Sequence, residues 1–152
     1  MEQKALKYEF YIGAGVEDVW NAFISPEGTR QTFYGCVLHS TFEQGARFEY
    51  IGPGKEGEET VHVYGTILTY EPYKEISYLE HPGPSYYEQH AELESRVTFT
   101  LETVGATTKL TLVNDGWSPE HPAFKNTENH WWMILSNIKT VAETGKALDF
   151  GW

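Results

Sequence analysis

The N-terminal part of the chain changes its hydrophobic period once, from a strand pattern to a helix pattern. Over Leu6–Ile12 apolar and polar side chains alternate, which predicts a half-buried strand. Over Val16–Ile24 the apolar positions recur at helical spacing, which predicts one face of an amphipathic helix. Ser25 and Pro26 then supply an N-cap and a first-turn proline for a second, short helix. We therefore expect one strand followed by two short helices.

The middle of the chain returns to a period of two and predicts a run of further strands. The predicted strands are residues 36–42, 46–51, 60–70, 75–80, 95–102 and 107–114. Short turns separate most of them, and residues 52–59 are polar and rich in glycine, which predicts a loop. The longest irregular stretch, residues 81–90, holds prolines and tyrosines.

The last third of the chain predicts one long amphipathic helix over residues 123–144, followed by a terminating glycine, Gly145. Its apolar stripe consists of Trp131, Ile134, Leu135, Ile138 and the pair Val141/Ala142. Strands gathered in one run, with helices before and after them, favour an α+β fold with helices on one face of an antiparallel sheet. The length suits a single domain over residues 1–152.

Charge and composition narrow the classes of partner. The net charge of -11 argues against nucleic acid or an anionic membrane as the main partner, because both require basic patches. No apolar run is long enough for a membrane helix, so we expect no membrane insertion. Cys36 is the single cysteine, and no signal peptide is visible at the N-terminus, so we expect a cytoplasmic protein with an inert buried thiol.

Several ordered segments resemble a known family. They are residues 19–20, 45–48, 65–72, 94–99 and 110–112, and above all Asp115-Gly116-Trp117 followed by residues 132–140 and 143–145. Together they resemble the AHSA1-like family (activator of Hsp90 ATPase homologue) of the START/Bet v 1-like (SRPBCC) superfamily. The resemblance implies a helix-grip fold: an antiparallel sheet wrapped around a long C-terminal helix, with two short helices after the first strand. It also implies an apolar cavity beneath that helix.

The resemblance implies a binding protein for an apolar or aromatic small molecule, lipid- or polyketide-like, held between sheet and C-terminal helix. The candidate wall residues are Trp20, Phe23, Phe33, Phe48, Tyr50, Val63, Ile67, Tyr78, Val97, Phe99, Leu110, Leu112, Trp131, Leu135 and Ile138. Packing into a sealed core is the alternative for each of them, because apolar stripes at these periods usually form core. Large side chains with polar tips, such as Tyr50 and Trp131, favour a wall that orients a guest.

Two other functional classes stay open. A cyclase or hydrolase needs at least two ionisable groups converging inside the cavity, and Glu80, Glu94 and Asn114 are the polar candidates. The histidines show no metal-ligand spacing and the glycines no phosphate-binding pattern, so we expect neither a metal nor a cofactor. The family name suggests a protein-interaction module acting on an Hsp90-like chaperone. Trp132 and Trp152 are candidate exposed aromatics, which would suit a homodimer.

Overall fold

The computed structural model describes residues 4–151, which form seven strands and three α-helices. The strands are β1 (Leu6–Ile12), β2 (Val37–Ser40), β3 (Arg47–Pro53), β4 (Glu59–Glu71), β5 (Glu75–Pro82), β6 (Ser95–Val104) and β7 (Thr107–Asp115). The helices are α1 (Val16–Ile24), α2 (Pro26–Thr32) and α3 (Phe124–Thr144), and a single 3-10 turn covers His90–Glu92. Within these described residues, none of the helices has the length and apolarity needed to span a bilayer.

The sheet is antiparallel throughout, with the order β1-β7-β6-β5-β4-β3-β2. After β1 the chain crosses through α1 and α2 to the opposite edge and then returns strand by strand until β7 pairs with β1. Alternate residues of each strand face inward; in β7, every second side chain from Thr108 to Asn114 is buried. The predicted α+β helix-grip fold is confirmed.

Helix α3 lies against the inward face of the sheet. The Trp131 ring meets the ring of Phe99 on β6 edge-on, with their centroids 5.8 Å apart. Further along α3, Leu135 and Ile138 are buried in the same core as Val19 of α1. Gly145 ends the helix in the left-handed conformation predicted for a C-cap, with φ 82°, and its N–H donates to the Val141 carbonyl.

Two predicted loops are longer than the observed ones, whereas the predicted strand of residues 36–42 shortens to Val37–Ser40. Strand β3 runs through Pro53 and β4 starts at Glu59, so the predicted loop of residues 52–59 shrinks to a turn closed by a hydrogen bond from Gly54 N to Glu58 O. Strand β5 likewise extends into the predicted irregular stretch, because His81 still pairs with Tyr64. Backbone pairing continues past the point where apolar alternation ends, and the side-chain pattern does not report it.

The backbone at Gly65 packs closely against neighbouring atoms, so a substitution there tests this architecture. A Cβ added there would lie 1.8 Å from the Leu79 carbonyl oxygen and 2.9 Å from the Phe48 ring. We expect Gly65→Ala to lower the free energy of unfolding by about 2 kcal/mol or more, because the sheet has to move apart. Urea unfolding measures the difference.

Gly15→Ala is the matched control. Gly15 has an ordinary extended backbone, and no atom outside its chain neighbours lies within 4 Å of an added Cβ. We expect a change within about 0.5 kcal/mol. Equal losses of stability in the two variants would contradict the close packing of β4 against β5.

Candidate ligand-binding site

A cavity of about 520 Å³ lies between the sheet and the N-terminal half of α3. Its walls come from β3 to β6, from the segment after α2, from the segments that follow β5 and β7, and from α3 itself. Most of the lining is apolar or aromatic. The volume falls within the range of roughly 300–1,000 Å³ that is typical of clefts enclosing small organic ligands.

The structure divides the predicted wall residues between this cavity and a filled core. Those that line the cavity are Phe33, Tyr50, Val63, Tyr78 and Trp131. Those that pack in the core away from it are Trp20, Phe23, Phe48, Ile67, Val97, Phe99, Leu110, Leu112, Leu135 and Ile138. There α1 fills the space beneath the sheet, as the stacking of Phe23 on Phe99 shows, with ring centroids 4.4 Å apart. The same inward face therefore has a filled end and a hollow end.

A chain of polar side chains crosses the sheet at the hollow end. Trp131 Nε1 donates to Asn114 Oδ1 at 3.0 Å, and Asn114 Nδ2 donates to Ser95 Oγ at 3.0 Å. Ser95 Oγ in turn donates to Glu80 Oε1 at 3.4 Å. We call these four residues the polar row. It begins on the helix and ends on β5 at a carboxyl group that lines the cavity.

The Glu80 carboxyl group is strongly perturbed. Burial raises its pKa from 4.5 to about 7, and the bond from Ser95 opposes that rise only in part. The side chain is half-buried and lines the cavity. Among the described residues, no lysine or arginine lines this space with it. Near neutral pH Glu80 is therefore divided between its protonated and ionised forms.

A pair of buried tyrosines stands beside Glu80. The hydroxyl oxygens of Tyr50 and Tyr78 lie 3.0 Å apart and share a hydrogen bond. Burial raises the pKa of both hydroxyls above the ordinary value, and the negative charge of Glu80 adds to the rise. Both groups thus stay protonated and can orient a guest. Burial also raises the pKa of the Cys36 thiol to about 11, which keeps that cavity residue as an unreactive thiol.

Histidines occupy other parts of the cavity lining. They are His62, His81, His121 and His130. His81 Nδ1 donates to the Leu93 carbonyl at 2.9 Å, and burial lowers the pKa of His121. Within residues 4–151, no three His, Cys, Asp or Glu side chains converge in a way that could hold a metal ion.

Sequence reasoning named Glu80, Glu94 and Asn114 as polar candidates; of these three, Glu80 lines the cavity, Asn114 reaches it through Ser95, and Glu94 does not line it. It did not single out Ser95. A signal was present in the strands. Ser95 and Asn114 lie two residues beyond the apolar alternation of β6 and β7, so extending that alternation by one step would have put both on the inward face. Of the predicted exposed aromatics, Trp132 is 56% exposed with its ring edge-on to Tyr8, and Trp152 lies outside the described residues.

The perturbed Glu80 predicts a pH-dependent stability difference. Its folded pKa of about 7 exceeds the ordinary 4.5, so its favourable contribution is complete below 4.5 and is lost as the pH rises through 7. Between pH 5 and pH 8 we expect Glu80→Gln to gain roughly 1–3 kcal/mol of unfolding free energy relative to the unsubstituted protein. Urea unfolding at both pH values measures the gain. Glu102→Gln, at an exposed position of β6, is the control, and a similar gain there would contradict the assignment.

Comparison with solved structures finds several proteins of the same fold. A Mesorhizobium loti protein shares 21% identity over 91% of this chain and 96% of its own, with a TM-score of 0.71. An Arthrobacter aurescens protein shares 16% over 99% and 96%, with a TM-score of 0.78. The Aha1 dimer of Colwellia psychrerythraea shares 16% over 95% and 100%, with a TM-score of 0.70. At such identities the likeness shows the fold alone.

A family-level comparison is more specific than these structures. No curated protein matches the chain in sequence. The family described as Activator of Hsp90 ATPase homolog 1-like protein matches residues 14–143, a span that runs from the turn before α1 almost to the end of α3 and includes most of the cavity wall. The chain therefore belongs to the Activator of Hsp90 ATPase homolog 1-like family.

Proposed function

We propose that the protein binds a small apolar or aromatic molecule in the cavity between the sheet and α3. The observation that most supports this proposal is the hollow end itself: about 520 Å³ walled by aromatic rings, in a fold whose other end is densely packed. Cavities of this size cost stability when empty, because their lining atoms lack contact partners. A guest of matching shape restores those contacts.

The driving force for binding is the removal of apolar surface from water. A guest that buries about 250 Å² of apolar surface gains roughly 6 kcal/mol before the entropy cost of association is subtracted. Phe33, Tyr50 and Trp131 present rings to the cavity, so flat aromatic guests can stack as well as fill space. The protonated hydroxyls of Tyr50 and Tyr78 can form hydrogen bonds that orient a guest at the inner wall of the cavity.

Two partly exposed tyrosines support a route of entry. Tyr34 is 37% exposed and Tyr86 is 53% exposed, yet both line the cavity. Tyr34 belongs to the segment after α2 and meets the ring of His130 on α3 edge-on, with centroids 5.6 Å apart. Tyr86 lies after β5 and bonds to His62 of β4 through its hydroxyl. Movement of these side chains would open the cavity without unfolding the sheet.

Acid–base catalysis is a second candidate function, because ionisable groups do converge in the cavity. Glu80 is suited to accept a proton near neutral pH, and the tyrosine pair can donate a hydrogen bond to a carbonyl oxygen. An aryl ketone incubated with the protein in deuterium oxide tests this. Exchange of its α-hydrogens that Glu80→Gln abolishes would favour catalysis, whereas recovery of unlabelled ketone favours binding alone.

We also propose that the protein forms a homodimer. It is supported by the exposed ring of Trp132 and by the relative that is described as a dimer. Light scattering of the purified protein distinguishes a dimer from a monomer.

We expect a substitution that fills the cavity to weaken ligand binding. Thr127 lines the cavity from α3, whereas Ser136 lies on the exposed face of the same helix. We expect Thr127→Trp to weaken binding of hydroxymethylanthracene, a neutral fluorescent probe, at least about tenfold, because the indole occupies the space. A fluorescence titration gives the affinity. Ser136→Trp adds the same side chain outside the cavity and should leave the affinity unchanged; equal effects would place the probe elsewhere.

A further inference from the structure

We propose that the guest is an amine: an apolar or aromatic skeleton carrying a protonated nitrogen that pairs with the Glu80 carboxylate inside the cavity. This inference rests on the proposed function, since it names the class of molecule that the same cavity takes. The argument starts from the charges that the cavity presents.

Glu80 is the one carboxylate among the described residues that line the cavity, and no lysine or arginine lies with it. Its hydrogen bond from Ser95 Oγ is long, at 3.4 Å, and the ion pairs of residues 4–151 do not include it. A carboxylate withdrawn from water without a cationic partner is unfavourable. The cavity thus presents a carboxylate that forms no ion pair with the described residues, and a cationic guest supplies the opposite charge.

The hydroxyl groups that lie beside Glu80 are neutral. Tyr78 precedes it on the same face of β5, Ser95 pairs with it on β6, and Tyr50 approaches from β3. Each hydroxyl can accept a hydrogen bond from an ammonium group through its oxygen. Of the cavity histidines, His81 follows Glu80 on β5 and its Nδ1 donates to the Leu93 carbonyl, and burial lowers the pKa of His121. An ammonium group at this wall would find the Glu80 carboxylate and several neutral hydroxyl acceptors.

The aromatic lining suits the same chemistry. Rings of Phe33, Tyr50, Tyr78 and Trp131 line the same cavity as Glu80, and the negative face of an aromatic ring attracts a cation within about 6 Å. The net charge of -11 also draws cations toward the protein from solution. A carboxylate guest, such as a fatty acid, would instead place a second negative charge beside the first. The charge of the cavity therefore selects against acidic lipids and acidic polyketides.

Three matched fluorescent probes test the inference at pH 8, where an ordinary alkylamine is protonated and an ordinary histidine is neutral. The probes are aminomethylanthracene, hydroxymethylanthracene and anthracene carboxylate, which share one ring system and differ in the polar group. We expect the amine to bind about ten- to a hundredfold more tightly than the alcohol, because charge-assisted hydrogen bonds in a dry site are strong. The carboxylate should bind most weakly.

Glu80→Gln removes the charge and keeps the shape. We expect it to bring the affinity for the amine down to that for the alcohol, while the affinity for the alcohol stays within about threefold. Glu102→Gln, far along β6 from the cavity, changes the net charge equally and should leave the preference intact. The ranking of the three probes by the unsubstituted protein needs no variant, so the inference can be judged even if Glu80→Gln is unstable.

The outcomes separate this inference from the proposed function. Binding of the alcohol with no preference for the amine, or a preference for the amine that survives in Glu80→Gln, overturns the inference and leaves the binding function standing. A preference for the carboxylate also overturns it, and assigns the guest to acidic lipids. Failure of all three probes to bind overturns both.

Discussion

The buried side-chain amide of Asn114 joins the long helix to the sheet. Its oxygen accepts the indole N–H of Trp131 on α3, and its nitrogen donates to Ser95 Oγ and to the Arg96 carbonyl on β6. The backbone carbonyl oxygen of Asn114 also accepts a hydrogen bond from the indole N–H of Trp117. The side chain is fully buried, so sliding or turning α3 would leave the Asn114 oxygen and the Trp131 indole N–H unpaired in a dry interior. This bond, with the apolar contacts of α3, sets the height of the helix above the sheet and hence the depth of the cavity.

The same amide orients the hydrogen bonds that lead to the carboxyl group at the end of the polar row. Because Trp131 can only donate, the Asn114 oxygen must face the helix and its nitrogen must face Ser95. Ser95 Oγ then accepts a hydrogen bond from Asn114 and donates its own hydroxyl hydrogen to Glu80. That weak bond is the only one that the row passes to the carboxylate. Burial raises the pKa of Glu80, and the hydrogen bond that reaches it through this row opposes that rise only in part.

The sequence allows the fold to be predicted further than the cavity. Local patterns predict α1 with its observed bounds and the glycine that ends α3, because helical spacing and caps are properties of neighbouring residues. The hollow end is not local. Phe99 and Ser95 lie on the same face of one strand, yet the first meets Phe23 of α1 and the second meets the cavity. Which strand positions are covered depends on where α1 packs in the folded chain. The periodicity of a strand does not encode the position of that helix.

Strands β3 to β6 each have a filled end and a hollow end, so packing and ligand contact fall to different parts of one strand. Along β5, Ile76 belongs to the packed core, whereas Glu80 faces open space a few residues later. Substitutions at the hollow end remove few contacts, so they alter the chemistry offered to a guest at small cost to folding. A scaffold of this kind can change what it holds while its architecture persists. Relatives that share only 16–21% of their residues with this chain but retain its fold are what such a separation allows.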